Sequence, residues 1–377
     1  MKFNVFTLLC IFCFTIQLSQ AQYEGYSQSR WETQLQIEEA FFKQINTTSF
    51  KTHLKKLTER PHVVGSEANT EVQRYMGEVM QHAGFEVTQY PYDLYLPNKP
   101  GSSLIEIVTP SRAVLNQKED IIPGDSFSED PELWKGWNAF SGSGDVTAEV
   151  VYANYGRKED FDMLQELGVD VKGKIVLARY GGNFRGFKAK FAEANGAAGL
   201  IIFTDPKDSG YTKGLVYPEG PYYNESTIQR GSLLTTDFTG DPLTPFEPAL
   251  PLDGKKKIKR MNPDQAQLHS IPVTPVAYGE AKKILGQMRG RAVPQSWQGG
   301  LPFTYRLEGG ALLTVRLKVN QKIDFVRAAN VVGMLKGSEA PDEWIILGCH
   351  FDAWGFGATD PNSGTAMLLS LSETLGE

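Results

Sequence analysis

Trp344-Ile345-Ile346-Leu347-Gly348-Cys349-His350-Phe351-Asp352, continued by a loop to Asp360-Pro361-Asn362-Ser363-Gly364, is the most informative stretch of this 377-residue chain. The apolar run from Trp344, without polar alternation, predicts a strand buried on both faces, as parallel α/β sheets contain. Such a strand delivers His350 to its C-terminal end, where open α/β sheets place their ligands. Asp352, two residues on, shares a side with His350 in extended backbone, so it can accept a hydrogen bond from the imidazole and fix its tautomer. Asp360 follows a loop carrying Gly355 and Gly357 and expected to be flexible. The turn beyond it starts a helix through Ala366, Met367, Leu369 and Leu371, with Asn362 or Ser363 as the cap. Imidazole and carboxylate suit zinc, and a carboxylate offering two oxygens can bridge two ions. Taken alone, His-X-Asp is weak evidence, and a satisfied structural histidine is the commoner reading. The strand end, the glycine-bounded loop and the second aspartate before a helix tilt the segment towards metal.

Upstream, Ala329 to Leu335 forms a second apolar run and reads as another buried strand of the same core. Near the other end, amphipathic helices run through Ile37, Phe41 and Ile45, through Phe50, Leu54 and Leu57, and from Ser66 or Asn69 as caps through Val72, Met76 and Val79. A strand from Phe85 to Tyr90 follows. At Pro97-Asn98-Lys99-Pro100 the texture changes to short strands punctuated by Gly, Pro and Asp, which marks a boundary. Strand and helix then alternate: strands at 148–152, 174–178 and 200–203, helices at 158–167 and 186–194, the pattern of an α/β layer. Residues 205–275 are rich in turn signals and resist assignment. The first domain is thus interrupted and resumed.

Composition bounds the function. The formal charge of −6 with 41% apolar residues describes a globular chain without the basic footprint that nucleic acid demands. The one basic run, Lys255 to Arg260, sits in a polar stretch and reads as a solvated loop. Lys2, the apolar run Phe3 to Leu18 and Ser19-Gln20-Ala21 read as a signal peptide cleaved after Ala21, too short for a bilayer span, so no stable membrane insertion is expected. A secreted or periplasmic protein follows, with Cys349 as the one cysteine of the mature chain.

The 348–364 segment, with Asn330-Val331-Val332-Gly333, resembles the first metal-ligand motif of the co-catalytic zinc carboxypeptidases of the glutamate carboxypeptidase II type. Arg60-Pro61-His62-Val63-Val64-Gly65-Ser66, Lys172 to Gly181 with Phe184-Arg185-Gly186, and Gly240 to Pro245 resemble the same family in the same order, over nearly the whole mature chain. The resemblance implies an α/β aminopeptidase-like zinc peptidase core, partial here, interrupted by an inserted α+β protease-associated apical domain. It divides the chain into a leader (1–21), a first part of the peptidase domain (22–95), the apical domain (96–324) and the start of the resumed peptidase domain (325–377).

Residue by residue, the resemblance implies that His350 binds one of two zinc ions, that Asp360 bridges both, and that Asp352 orients the histidine. Arg185 matches an apical arginine that holds the terminal carboxylate of a small peptide substrate, for which a planar guanidinium is suited; the plainer reading is an ordinary loop arginine. His62 falls in a scaffold motif and reads as structural. Two departures stand out. Pro221-Tyr222-Tyr223 occupies the place of an asparagine that helps hold glutamate, and Glu247 stands where the family's calcium site has a tyrosine, although Thr244 is kept. A carboxylate can serve a hard cation, and a solvated loop charge is the alternative. The family's catalytic glutamate, its remaining zinc ligands and its homodimerisation domain all follow this motif, so the chain as given is expected to be an inactive N-terminal fragment. Competing readings are a non-catalytic binding protein of the transferrin receptor-like branch, which lacks the ligand pattern, and an aminopeptidase with the same metal centre, which Arg185 disfavours.

Overall fold

The computed structural model describes residues 27–376; the leader lies outside the described residues. Among the described residues three helices come first: α1 (Gln28–Gln44), α2 (Thr47–Leu57) and α3 (Glu67–His82). The Asn46 side chain accepts from the Thr48 and Ser49 amides and Ser66 from the Asn69 amide, so α2 and α3 begin on satisfied caps. The chain continues through β1 (Glu86–Leu96), β2 (Ser102–Thr109), β3 (Ala113–Val114), β4 (Asn138–Ala139), β5 (Gly144–Tyr152), α4 (Lys158–Glu166) and β6 (Ile175–Arg179). Then come α5 (Arg185–Ala194), β7 (Gly199–Phe203), the short α6 (Pro206–Ser209), β8 (Gly231–Ser232), β9 (Val273–Val276), α7 (Tyr278–Leu285), β10 (Thr314–Asn320), β11 (Asp324–Met334) and α8 (Asn362–Gly376).

A seven-stranded sheet runs β3-β2-β10-β5-β6-β7-β9. Its β5, β6, β7 and β9 are parallel, as helical crossovers require, while β2, β3 and β10 close one side antiparallel. Helices leave no solvent face on the parallel part, so β6 and β7 are buried at every residue. Val150, Val151, Ile175, Val176, Leu177 and Leu200 to Phe203 centre the largest core. The segment 205–275, left unassigned from sequence, contributes the short α6, β8 and the first part of β9 between long loops.

Outside this unit β1 pairs with β11 antiparallel, from Glu86 opposite Met334 to Leu96 opposite Asp324. The ribbon packs against α3, and a smaller core of Leu57, Val72, Met76, Ala366 and Leu369 joins α2, α3 and α8.

Two expectations fail here. Residues 344–348 form no strand: Trp344, Ile345, Ile346 and Leu347 are 73, 92, 80 and 59% exposed. A strand needs hydrogen-bonding neighbours, and among the described residues the strands of this region, β1 and β11, pair with each other in a two-stranded sheet. For the same reason the run Ala329 to Leu335 is not buried on both faces. It lies largely in β11, where exposure alternates and Val332 and Met334 face outwards.

Candidate active site

His350 and Asp360 meet although no strand carries the histidine. His350 Nε2 lies 3.2 Å from Asp360 Oδ1, and His350 Nδ1 lies 3.2 Å from Asp352 Oδ1. The imidazole therefore stands between two carboxylates on an open surface. With Nδ1–H donating to Asp352, the Nε2 lone pair is left facing the Asp360 side, the disposition in which an imidazole and a carboxylate could share one cation. This donor set fits part of a zinc site; among the described residues no group of three His, Cys, Asp or Glu side chains converges to complete one.

The loop between Asp352 and Asp360 is clamped by contacts at several points. Gly357 has φ +66°, and a Cβ there would fall 2.5 Å from the Ala353 Cβ and 2.8 Å from the Asn362 Nδ2. The His62 amide donates to the Gly355 carbonyl and the Ala353 amide to the His62 carbonyl, both at 3.3 Å. The His62 ring, wholly buried, donates from Nδ1 to the Arg60 carbonyl (2.8 Å) and accepts at Nε2 from the Asn362 amide nitrogen (3.0 Å). Those partners define a neutral Nδ1–H tautomer, and burial holds the His62 pKa below its usual value. The structural reading of His62 thus stands. Asn362, however, is no cap: α8 begins at Asn362, whose side chain goes to His62 and the Phe356 carbonyl, while the Ser363 hydroxyl donates to the Thr359 carbonyl.

The far side of the loop rests on the inserted unit. Trp354 meets Trp137 edge to face with ring centres 5.1 Å apart, and Phe356 meets Phe127 likewise at 5.4 Å. Sequence reasoning missed these contacts. Their one visible signal was Trp134-Lys135-Gly136-Trp137, a third of the chain's six tryptophans within four residues.

Arg185 opens α5 on that unit. Fully buried Lys188, one turn on, donates to the Gly181 carbonyl (2.7 Å), the Asn183 side-chain oxygen (2.6 Å) and the Tyr155 carbonyl, which fixes the loop leading into the helix. Burial pulls the Lys188 pKa down to about 7. The Arg185 guanidinium lies across Gly231, where a Cβ would sit 2.4 Å from its Cζ, and beside the Tyr180 ring at 5.7 Å. Its Nη1 makes a long 3.5 Å bond to the Ser232 carbonyl, and its buried Nε has no hydrogen-bond partner among the described residues. Tyr223 is close enough for the Arg185 charge to oppose the upward push of burial on its phenol.

Thr244 and Glu247 share one turn, the Glu247 amide donating to the Thr244 carbonyl at 3.1 Å. Thr244 is buried with its hydroxyl unpartnered among the described residues, whereas the Glu247 side chain is exposed.

Two family models match the chain: the PA domain over residues 146–236, which holds Arg185, and peptidase family M28 over residues 330–377, which holds His350, Asp352 and Asp360. The last 48 residues of the chain thus match peptidase family M28, and a stretch before them matches the PA domain. It is 38% identical over 343 residues to a glutamate carboxypeptidase 2 homolog of Caenorhabditis briggsae, covering 88% of this chain and 44% of that one. It is also 32% identical over 362 residues to the aminopeptidase NAALADL1 of Rattus norvegicus, covering 91% and 47%. The chain thus spans less than half the length of these curated relatives. Among solved structures, a peptidase M28 precursor from Shewanella amazonensis superposes with a TM-score of 0.53 at 16% identity over 91% of this chain and 63% of that one, which supports the aminopeptidase-like fold with its PA insert.

Proposed function

We propose that this chain is part of an exported, zinc-dependent exopeptidase of the M28 type that removes the C-terminal residue of small peptides. The observation that carries the reading is the pairing, in one chain, of an imidazole–carboxylate pair on a clamped loop with a guanidinium that keeps a buried donor unspent. His350 and Asp360 would hold the metal, with Asp352 keeping the imidazole in the tautomer that leaves Nε2 free. Zinc, when bound, lowers the pKa of a water and polarises a carbonyl. Arg185, set beside the Tyr180 and Phe184 rings, anchors the peptide's free carboxylate, whether the C-terminal residue is glutamate or another. Further ligands and a proton-transferring glutamate are needed and are assigned to the rest of the gene product, as is any homodimer contact. A structural calcium at Thr244 and Glu247 is a secondary proposal, supported by the unpartnered Thr244 hydroxyl.

Similarity to an aminopeptidase favours a second reading, in which the substrate amine is recognised instead. One experiment separates the two: kcat/KM for a dipeptide and its C-terminal amide, in the wild type and in Arg185→Ala. The carboxypeptidase reading expects a selective loss on the acid, with each charge-assisted hydrogen bond contributing about 1.5–3 kcal/mol, and only partial rescue by Arg185→Lys. Equal losses on acid and amide would sink it.

A further inference from the structure

The two halves of the proposed site lie on different units, and two consecutive residues join them. Trp137 packs its ring against Trp354 in the His350–Asp360 loop. Asn138, the next residue, opens β4, which pairs parallel with β8 at Gly231 and Ser232. Its side-chain nitrogen donates to the Gly231 carbonyl (3.3 Å) and to the Tyr180 hydroxyl (3.1 Å). Gly231, Ser232 and Tyr180, together with the Phe184 ring, are residues on which the Arg185 guanidinium rests. Both linking residues are buried, Trp137 at 2% and Asn138 at 1% exposure, so neither can change place without moving a neighbour.

We infer that Trp137 and Asn138 are positioning residues that set the separation between the Arg185 guanidinium and the His350–Asp360 loop. That separation fixes how far from its carboxylate a peptide presents its scissile bond. The inference rests on the carboxylate reading of Arg185. Displacing a reacting group by about 1 Å costs on the order of a hundredfold in rate, so the pair acts as a ruler suited to one backbone spacing, that of an α-amino acid at the C-terminus.

The test uses the complete gene product supplied with zinc and two substrates that differ by one methylene, a peptide ending in an α-amino acid and its β-amino acid counterpart. The wild type should prefer the α-substrate. Trp137→Ala and Asn138→Ala should narrow the ratio of the two kcat/KM values by about tenfold or more, and Trp137→Phe by less. That ratio does not depend on how much of the enzyme is folded, so a loss of stability alone leaves it unmoved. In the metal-free protein, amide exchange across residues 351–357 should quicken in Trp137→Ala and stay unchanged in Arg185→Ala. If Trp137→Ala does not fold, Trp137→Phe and Trp354→Phe carry the same comparison from either side of the contact. An unchanged α/β ratio in variants that retain activity overturns the inference while leaving the clamp intact. An Arg185→Ala enzyme that treats acid and amide alike overturns the clamp, and the inference with it.

Discussion

Between Ser102 and Asn320 every strand of the large sheet except the edges β3 and β9 has a neighbour on both sides, and β6 and β7 are buried throughout. In the flanking region β1 and β11 have only each other, and the equally apolar run Trp344 to Leu347 lies exposed. The two regions carry similar residues and reach different outcomes. A run of aliphatic side chains states a capacity for burial; pairing partners decide whether it is realised.

The strongest way to break this contrast is to separate the regions. Residues 98–322 produced alone should unfold in one cooperative thermal transition, because their core closes without the flanks, whereas residues 27–96 joined to 324–376 should show none by circular dichroism. A cooperative transition in the second product would show that the ribbon and α2, α3 and α8 form a sufficient core.

Point substitutions sharpen the comparison at the level of single side chains. Ile202→Ala, at a fully buried position, should cost about 2–5 kcal/mol in denaturant unfolding. Ile346→Ser, at a position 80% exposed, should fall within about 0.5 kcal/mol of wild type. Equal costs would mean that the 344–348 segment is buried in solution.

His62 offers an intermediate effect with a defined pH signature. Its folded-state pKa lies below the unfolded value of 6.5, so the unfolded chain takes up the proton first. Stability is therefore unaffected above that value and falls as pH drops through about 6.5 towards the folded pKa. His62→Gln should flatten this part of the curve of unfolding midpoint against pH; an unaltered slope would place the titration elsewhere. The smallest effect belongs to Arg60, which reaches Glu71 at 2.9 Å within its own region and Glu132 at 2.8 Å across to the other. Exposed pairs of this kind contribute about 0–1 kcal/mol, so Arg60→Ala should shift stability by no more than that, and less still at high salt.

What was legible in the sequence follows the same division. The helices at 47–57, 67–82, 158–166 and 185–194 and the strands around 150, 176 and 201 carried their own periodicity, caps and stop signals, and lie within a residue or a few of their expected places. The strand before His350 did not form, since pairing is a property of neighbours that no local pattern contains. At the site, the contact of Asp352 with His350 was legible from their spacing, whereas that of Asp360 with His350 was implied by the resemblance to the zinc carboxypeptidases. Asn362 read as a cap, but its partner is 300 residues away in sequence, at His62. The Trp137–Trp354 contact was invisible for the same reason: each ring is unremarkable in its own segment, and only the meeting of two units gives either a role.

The register of the β1–β11 ribbon, which ends with Leu96 opposite Asp324, brings the entry and exit of more than two hundred residues side by side. A segment whose ends touch can be exchanged as a cassette without lengthening or straining the strands that receive it. Lineages could therefore have swapped the inserted module while inheriting the His350–Asp360 loop unchanged, and a laboratory chimera joined at this ribbon could do the same. The graft would succeed only if the incoming module also offered an aromatic edge to Trp354, so the seam has two stitches, one of backbone and one of indole.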